Sequence, residues 1–178
     1  VFKYDDINRQ TGEYIFTRNG LSASLANDGT DAAISAKDTT YNVFGEIESH
    51  GKFHAITERA VYDKAGRLVI SNAGDGVPKI YVYDGMGNIT MTVTPPANEQ
   101  NAAKNSLVAS VFGLNRAPTI DEIQAVIDKG AHVSVALFDK RGKQTDTYEL
   151  VNKPILTNTT GSLVSVGVAP GTDISVKT

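Results

Sequence analysis

Val82-Tyr83-Asp84-Gly85-Met86-Gly87-Asn88-Ile89 holds a strand end, a tight turn and a strand start within eight residues. Asp at the first turn position accepts hydrogen bonds from backbone N–H groups a few residues on. Gly at the fourth supplies the left-handed residue that closes a type I turn with a bulge. The aromatic residue before Asp anchors the strand end on a cross-strand neighbour. The same form, apolar-aromatic-Asp-x-x-Gly-polar, recurs at Val61-Tyr62-Asp63-Lys64-Ala65-Gly66-Arg67-Leu68 and at Leu137-Phe138-Asp139-Lys140-Arg141-Gly142-Lys143. Three hairpin tips are predicted.

Further turns are expected at Asn8–Gly12, Arg18–Gly20, Asn27–Gly29, Ser49–Lys52 and Ala73–Gly76. The runs between turns alternate apolar and polar residues. Val43, Gly45 and Ile47 are read as one face of a strand over Tyr41–Glu48, and Phe53 to Val61 as a longer one. Ile80 and Val82 lie before the Gly85–Asn88 turn, and Ile89, Met91 and Val93 after it. Turn signals every 8–12 residues between short runs indicate antiparallel hairpins.

Tyr62 and Tyr83 stand 21 residues apart. With Gly66-Arg67-Leu68 after the first, the pair resembles the tyrosine–aspartate (Rhs-type) repeat over about 30 residues. That resemblance implies a β-shell or a cell-surface toxin scaffold. The Tyr83–Asn88 hairpin is also similar to one in hook-like bacterial filament subunits.

Composition agrees with the hairpins. Val, Ile and Thr together make 47 of 178 residues, and branched side chains favour strands. With no cysteine, the chain forms no disulfide scaffold, zinc-thiolate site or Cys nucleophile. A net charge of -3 argues against nucleic-acid wrapping or polybasic membrane binding, and no apolar run is long enough to span a bilayer.

The pattern changes after Pro95-Pro96. Residues 98–112 read as a helix whose stripe includes Ala103, Leu107, Val111 and Phe112. A second helix follows Pro118, with Thr119 as N-cap, Glu122 completing a capping box, and Gly130 closing it after Lys129. Strands are then expected at Val133–Leu137, Thr145–Val151, Ile155–Asn158, Leu163–Val168 and Ile174–Lys177. The expected fold is mainly β (α+β): an antiparallel sandwich or barrel-like sheets in a single domain over residues 1–178. An amphipathic helix pair is inserted near 98–129, with a sub-boundary near 95–97.

Catalytic signatures are missing. No Gly-x-Ser-x-Gly elbow, phosphate loop or dinucleotide fingerprint occurs. His50, His54 and His132 read as turn or strand histidines, and no cofactor is expected. Asp28 and Asp31, in Asn27-Asp28-Gly29-Thr30-Asp31, are the candidate calcium ligands. Tyr81 and Tyr83 on one strand are candidate stacking contacts for a glycan.

The expectation is thus a non-enzymatic structural subunit of a large extracellular or viral assembly, such as a phage tail, fibre, capsid-decoration or filament component. The alternative is a surface adhesin or carbohydrate-binding β-domain. Leu163, Val164, Val166, Val168, Ile174 and Val176 are the expected contacts with copies of the chain or with other subunits, because flat alternating edge strands invite pairing. Neither nucleic acid nor membrane insertion is expected, and the location is taken as the virion or the cell surface.

Overall fold

In a computed structural model of the chain, the described residues are 1–16, 33–52, 55–96, 107–150, 155–159, 163–167 and 174–176. The chain divides into two compact units, Val1–Ala60 and Val61–Thr178. Among the described residues the protein is mainly β, antiparallel, with two short helices.

The first unit is a meander of β1 (Phe2–Tyr4), β2 (Gln10–Phe16), β3 (Ala33–Tyr41), β4 (Ile47–Lys52) and most of β5 (Ala55–Tyr62), each paired with its sequence neighbours. Register aligns Gly12 with Asp38, and Asp38 with Gly51. The buried Tyr14 lies back over Gly12, where a Cβ would come within 2.5 Å of its ring. Its hydroxyl donates to Asp38 Oδ1. Gly12 was expected to end a turn, but it is a strand position kept small for an aromatic ring.

Two other local expectations are overturned. Ser49–Lys52 lies within β4, and the turn falls inside the expected strand Tyr41–Glu48. Asn42 is the reason: its side-chain oxygen accepts the N–H groups of Phe44 and Glu46, both at 3.0 Å. Gly45, at φ +91°, completes the reversal. These local bonds outcompete the weak alternation of Val43, Gly45 and Ile47.

The second unit contains β6 (Leu68–Ser71), β7 (Lys79–Tyr83), β8 (Ile89–Thr94), α1 (Leu107–Phe112), α2 (Ile120–Asp128), β9 (His132–Phe138), β10 (Gln144–Leu150), β11 (Ile155–Thr159), β12 (Leu163–Gly167) and β13 (Ile174–Val176). Its main sheet runs β6-β7-β8-β9-β10-β13, while β11 and β12 pair with each other. The rows Ile80–Val93–Val133 and Val82–Met91–Val135 cross this sheet. They join Ile123, Val126 and Ile127 of α2 and Val111 and Phe112 of α1 in one core cluster. The helix pair therefore packs over this sheet face and buries its apolar rows. Among the described residues β1 pairs only with β2, and β13 only with β10. The sheet is open, which corrects the barrel-like expectation.

The expected first helix is described only from Leu107 onward, and residues 98–106 lie outside the described residues. The second helix forms with both halves of its capping box. Glu122 N–H donates to Thr119 Oγ1 at 3.3 Å, and Thr119 N–H to Glu122 Oε2 at 2.7 Å. Arg116 adds a bidentate clamp on Glu122, at 2.9 and 2.7 Å. The clamp and the Thr119 N–H lower the Glu122 carboxyl to about 2. The folded state thus prefers the carboxylate. Its contribution is complete above the ordinary glutamate range and is lost as pH falls towards about 2.

Replacing Ile127, fully buried beneath the sheet, with Ala should cost about 2–5 kcal/mol in urea unfolding. Thr119→Ala should cost about 1 kcal/mol. It should also raise the Glu122 carboxyl towards its ordinary value in an NMR pH titration.

Candidate functional site

Recurrent polar constellations sit at the hairpin tips, and among the described residues there are five of them, not three. They begin at Asp5, Asn42, Asp63, Asp84 and Asp139. In each, the first residue's N–H donates to the fifth residue's carbonyl at 2.9–3.0 Å, and the fourth residue's N–H donates back at 3.0–3.2 Å. The fourth residue always has positive φ: Asn8, Gly45, Gly66, Gly87 and Gly142. The first residue's Oδ1 accepts from the third and fifth N–H groups at 2.8–3.1 Å. One side chain thereby replaces the water that two turning amides would otherwise need.

In two places an arginine ties one tip to the next. Arg67 Nε donates to Asp63 Oδ2 at 2.8 Å, and its Nη1 reaches the Asp84 carbonyl at 3.3 Å. Its guanidinium lies 4.8 Å from the Tyr83 ring centre, and the Tyr83 hydroxyl donates to the Leu68 carbonyl at 2.7 Å. The first unit repeats the arrangement. Arg9 bonds Asp5 Oδ2 at 2.6 Å and the Asn42 carbonyl at 3.2 Å, and lies 4.7 Å from the Tyr41 ring centre. The Tyr41 hydroxyl donates to the Gln10 carbonyl at 3.0 Å.

Each lock has a direction. The earlier hairpin gives the arginine and a carbonyl, and the later one gives a tyrosine and a carbonyl. Later tips lack the arginine: Glu46 pairs with Asn42 Nδ2, Asn88 Nδ2 with Asp84 Oδ2, and Lys143 stands in the fifth tip.

Electrostatics follow the geometry. The Arg9 N–H chiefly lowers the Asp5 carboxyl, with help from the Arg9 side chain. Burial pushes Asp63 up, but the Arg67 N–H, the Arg67 side chain and the Ala65 N–H together bring it below its ordinary value. The Asn88 side-chain amide leads in lowering Asp84. Burial raises the Tyr83 phenol.

Tyr83 is accordingly engaged by Arg67 and Leu68 and packs against the core cluster, while Tyr81 lies opposite Thr92 across β7 and β8. Asp28, Asp31 and Val168 lie outside the described residues, as does His54. Leu163, Val164 and Val166 lie on β12, and Ile174 and Val176 on β13. His50 Nδ1 sits 3.2 Å from Thr39 Oγ1, and His132 Nε2 is 3.5 Å from Glu149. Among the described residues no three His, Cys, Asp or Glu side chains cluster as a metal site. No described helix is long and apolar enough to cross a membrane.

The two unforeseen tips carried a readable signal. Each has a tyrosine before an Asp or Asn, then Gly or Asn at the fourth position: Tyr4-Asp5-Asp6-Ile7-Asn8 and Tyr41-Asn42-Val43-Phe44-Gly45. Spacings between tips are 37, 21, 21 and 55 residues. The two long ones contain residues 17–32, between β2 and β3, and the helix-bearing residues 95–131, between β8 and β9. Both extensions leave from strand ends opposite the tips, so the tips themselves are undisturbed. No known protein-family model matches the chain, and no curated protein matches it.

Arg67→Met should cost about 1 kcal/mol, the scale of one cation–π contact or one net hydrogen bond. Gly87→Ala, at φ +89°, should cost about 1–2 kcal/mol. Asn8→Gly should leave stability unchanged or raise it. Because the Asp5, Asp63 and Asp84 carboxyls are lowered, the tips contribute fully above the ordinary aspartate range. That contribution should fade as pH drops below it in urea melts recorded from pH 6 to 2.

Proposed function

We propose that the chain is a non-catalytic structural subunit of an extracellular or viral assembly, joined to its neighbours through sheet edges and hairpin arms. The observation that carries this reading is the pairing of self-satisfied tips with open edges. The best-positioned polar groups, Asp5, Arg9, Asp63, Arg67 and Asp84, are spent on one another and on turn amides. Such an arrangement stiffens a sheet and engages these groups in the scaffold.

β1 and β13, in contrast, each pair on one side only among the described residues. An unpaired strand templates addition of another chain. The first unit's tips also present apolar side chains to solvent, with Val43 92 % and Phe44 84 % exposed and Ile7 close behind. Apolar residues at a rigid protruding tip are a contact feature. The glycan-binding alternative draws support only from Tyr81, since Tyr83 already has its partners.

Light-scattering mass across a concentration series tests the reading. Particles heavier than the 19.0 kDa chain are expected, with at least tenfold weaker association once residues 174–178 are deleted or Phe44 is changed to Ser. A monomer at every concentration would overturn it.

A further inference from the structure

The net charge of -3 hides a local reversal at the tips of the second unit. The second and third residues of each tip form its apex. In this unit they are Lys64 and Ala65, Gly85 and Met86, and Lys140 and Arg141, all exposed, and exposed Lys143 closes the last tip. The tip carboxylates are turned to their own hairpins. Asp63 is held by Arg67 and the turn amides, and Asp84 by Asn88 and the turn amides. Asp139 Oδ1 accepts the N–H groups of Arg141 and Lys143. Among the described residues no carboxylate forms an ion pair with Lys64, Lys140, Arg141 or Lys143. Beyond the last tip, the next carboxylate along β10 is Asp146.

The three tips belong to consecutive hairpins of one sheet, so they stand in a row about 10 Å apart. Arg67 ties the first to the Asp84 carbonyl of the second. The second lies against the third, where a Cβ on Gly142 would come 3.6 Å from Asn88 Oδ1 and 3.9 Å from the Met86 methyl carbon. Met86, 65 % exposed, therefore stands between Lys64 on one side and Lys140 and Arg141 on the other.

Independently of the assembly reading, we infer that this row of tips docks on an anionic lipid surface. The four cations lie among the headgroups, and Met86 enters the acyl boundary between them. Each Lys or Arg held near such a surface strengthens binding about fivefold. A bilayer is favoured over a soluble polyanion for two reasons. The apolar apex residue among the cations has something to bury against only in lipid. The turn amides already bonded to Asp63, Asp84 and Asp139 also lose no water on reaching the interface.

Flotation of the full chain tests this with two vesicle types, phosphatidylcholine alone and phosphatidylcholine carrying about one-third phosphatidylglycerol. Binding to the anionic vesicles should exceed binding to the neutral ones at least tenfold, and about 0.5 M salt should release the chain. Lys140→Gln combined with Arg141→Gln should weaken it at least tenfold, and Lys64→Gln about fivefold. Met86→Ser should weaken vesicle binding while leaving retention on soluble dextran sulfate unchanged. Lys129→Gln, which removes an exposed lysine next to α2, should change neither. Circular dichroism and the urea midpoint report that each variant is folded.

Three outcomes overturn the inference. The chain ignores anionic vesicles, or Lys129→Gln weakens binding as much as Lys64→Gln does. In the third, Met86→Ser floats like the parent chain while dextran sulfate binds as tightly as the vesicles, which assigns the edge to a soluble polyanion instead.

Discussion

The constraint on which the structure depends is the demand of a reversing backbone for hydrogen-bond acceptors. A strand pair that turns in five residues strands two amide groups facing one point, and one Asp or Asn side chain satisfies both. With the turn fixed, the aromatic residue before it and the polar residue after it are held on adjacent strands. That is the placement in which Arg67 can reach across to Tyr83 and the Asp84 carbonyl. Local turn chemistry thus becomes a tie between neighbouring hairpins. Each of the two ties joins consecutive hairpins of one unit.

The opposite end of the sheet answers to a different physics. There the connections are free to lengthen, and between β8 and β9 the chain inserts α1 and α2. Their buried Val111, Phe112, Ile123, Val126 and Ile127 supply the apolar mass that the rows of Ile80, Val82, Met91 and Val93 require. The tips are polar and geometric; the helix-covered face is apolar and volumetric. Neither substitutes for the other, since a three- to five-residue turn buries little area and a helix pair sets no register.

Much of this was legible in sequence. The Asp63, Asp84 and Asp139 tips and the Thr119–Gly130 helix announced themselves because short-range chemistry decides them. The Asp5 and Asn42 tips did not, since Asn8 replaces the usual glycine and Asn42 the usual aspartate. There Val43, Gly45 and Ile47 mimicked strand alternation. Gly12 was misplaced because its reason, the Tyr14 ring folded over it, depends on side-chain packing. The arginine ties were invisible as well. They join tips 37 and 21 residues apart, and nothing in the residues alone says that an arginine after one turn meets a tyrosine before the next. For the same reason the Tyr83 contacts with Arg67 and the Leu68 carbonyl could not be read from the residues alone.

The account's central claim is that tip locks are energetic ties between hairpins. A double-mutant cycle of Arg67→Met and Tyr83→Leu in urea unfolding tests it most directly. The two substitutions should be non-additive, with a coupling of about 0.5–1.5 kcal/mol. Strict additivity would contradict the account, leaving the arginine over the tyrosine as a contact without consequence.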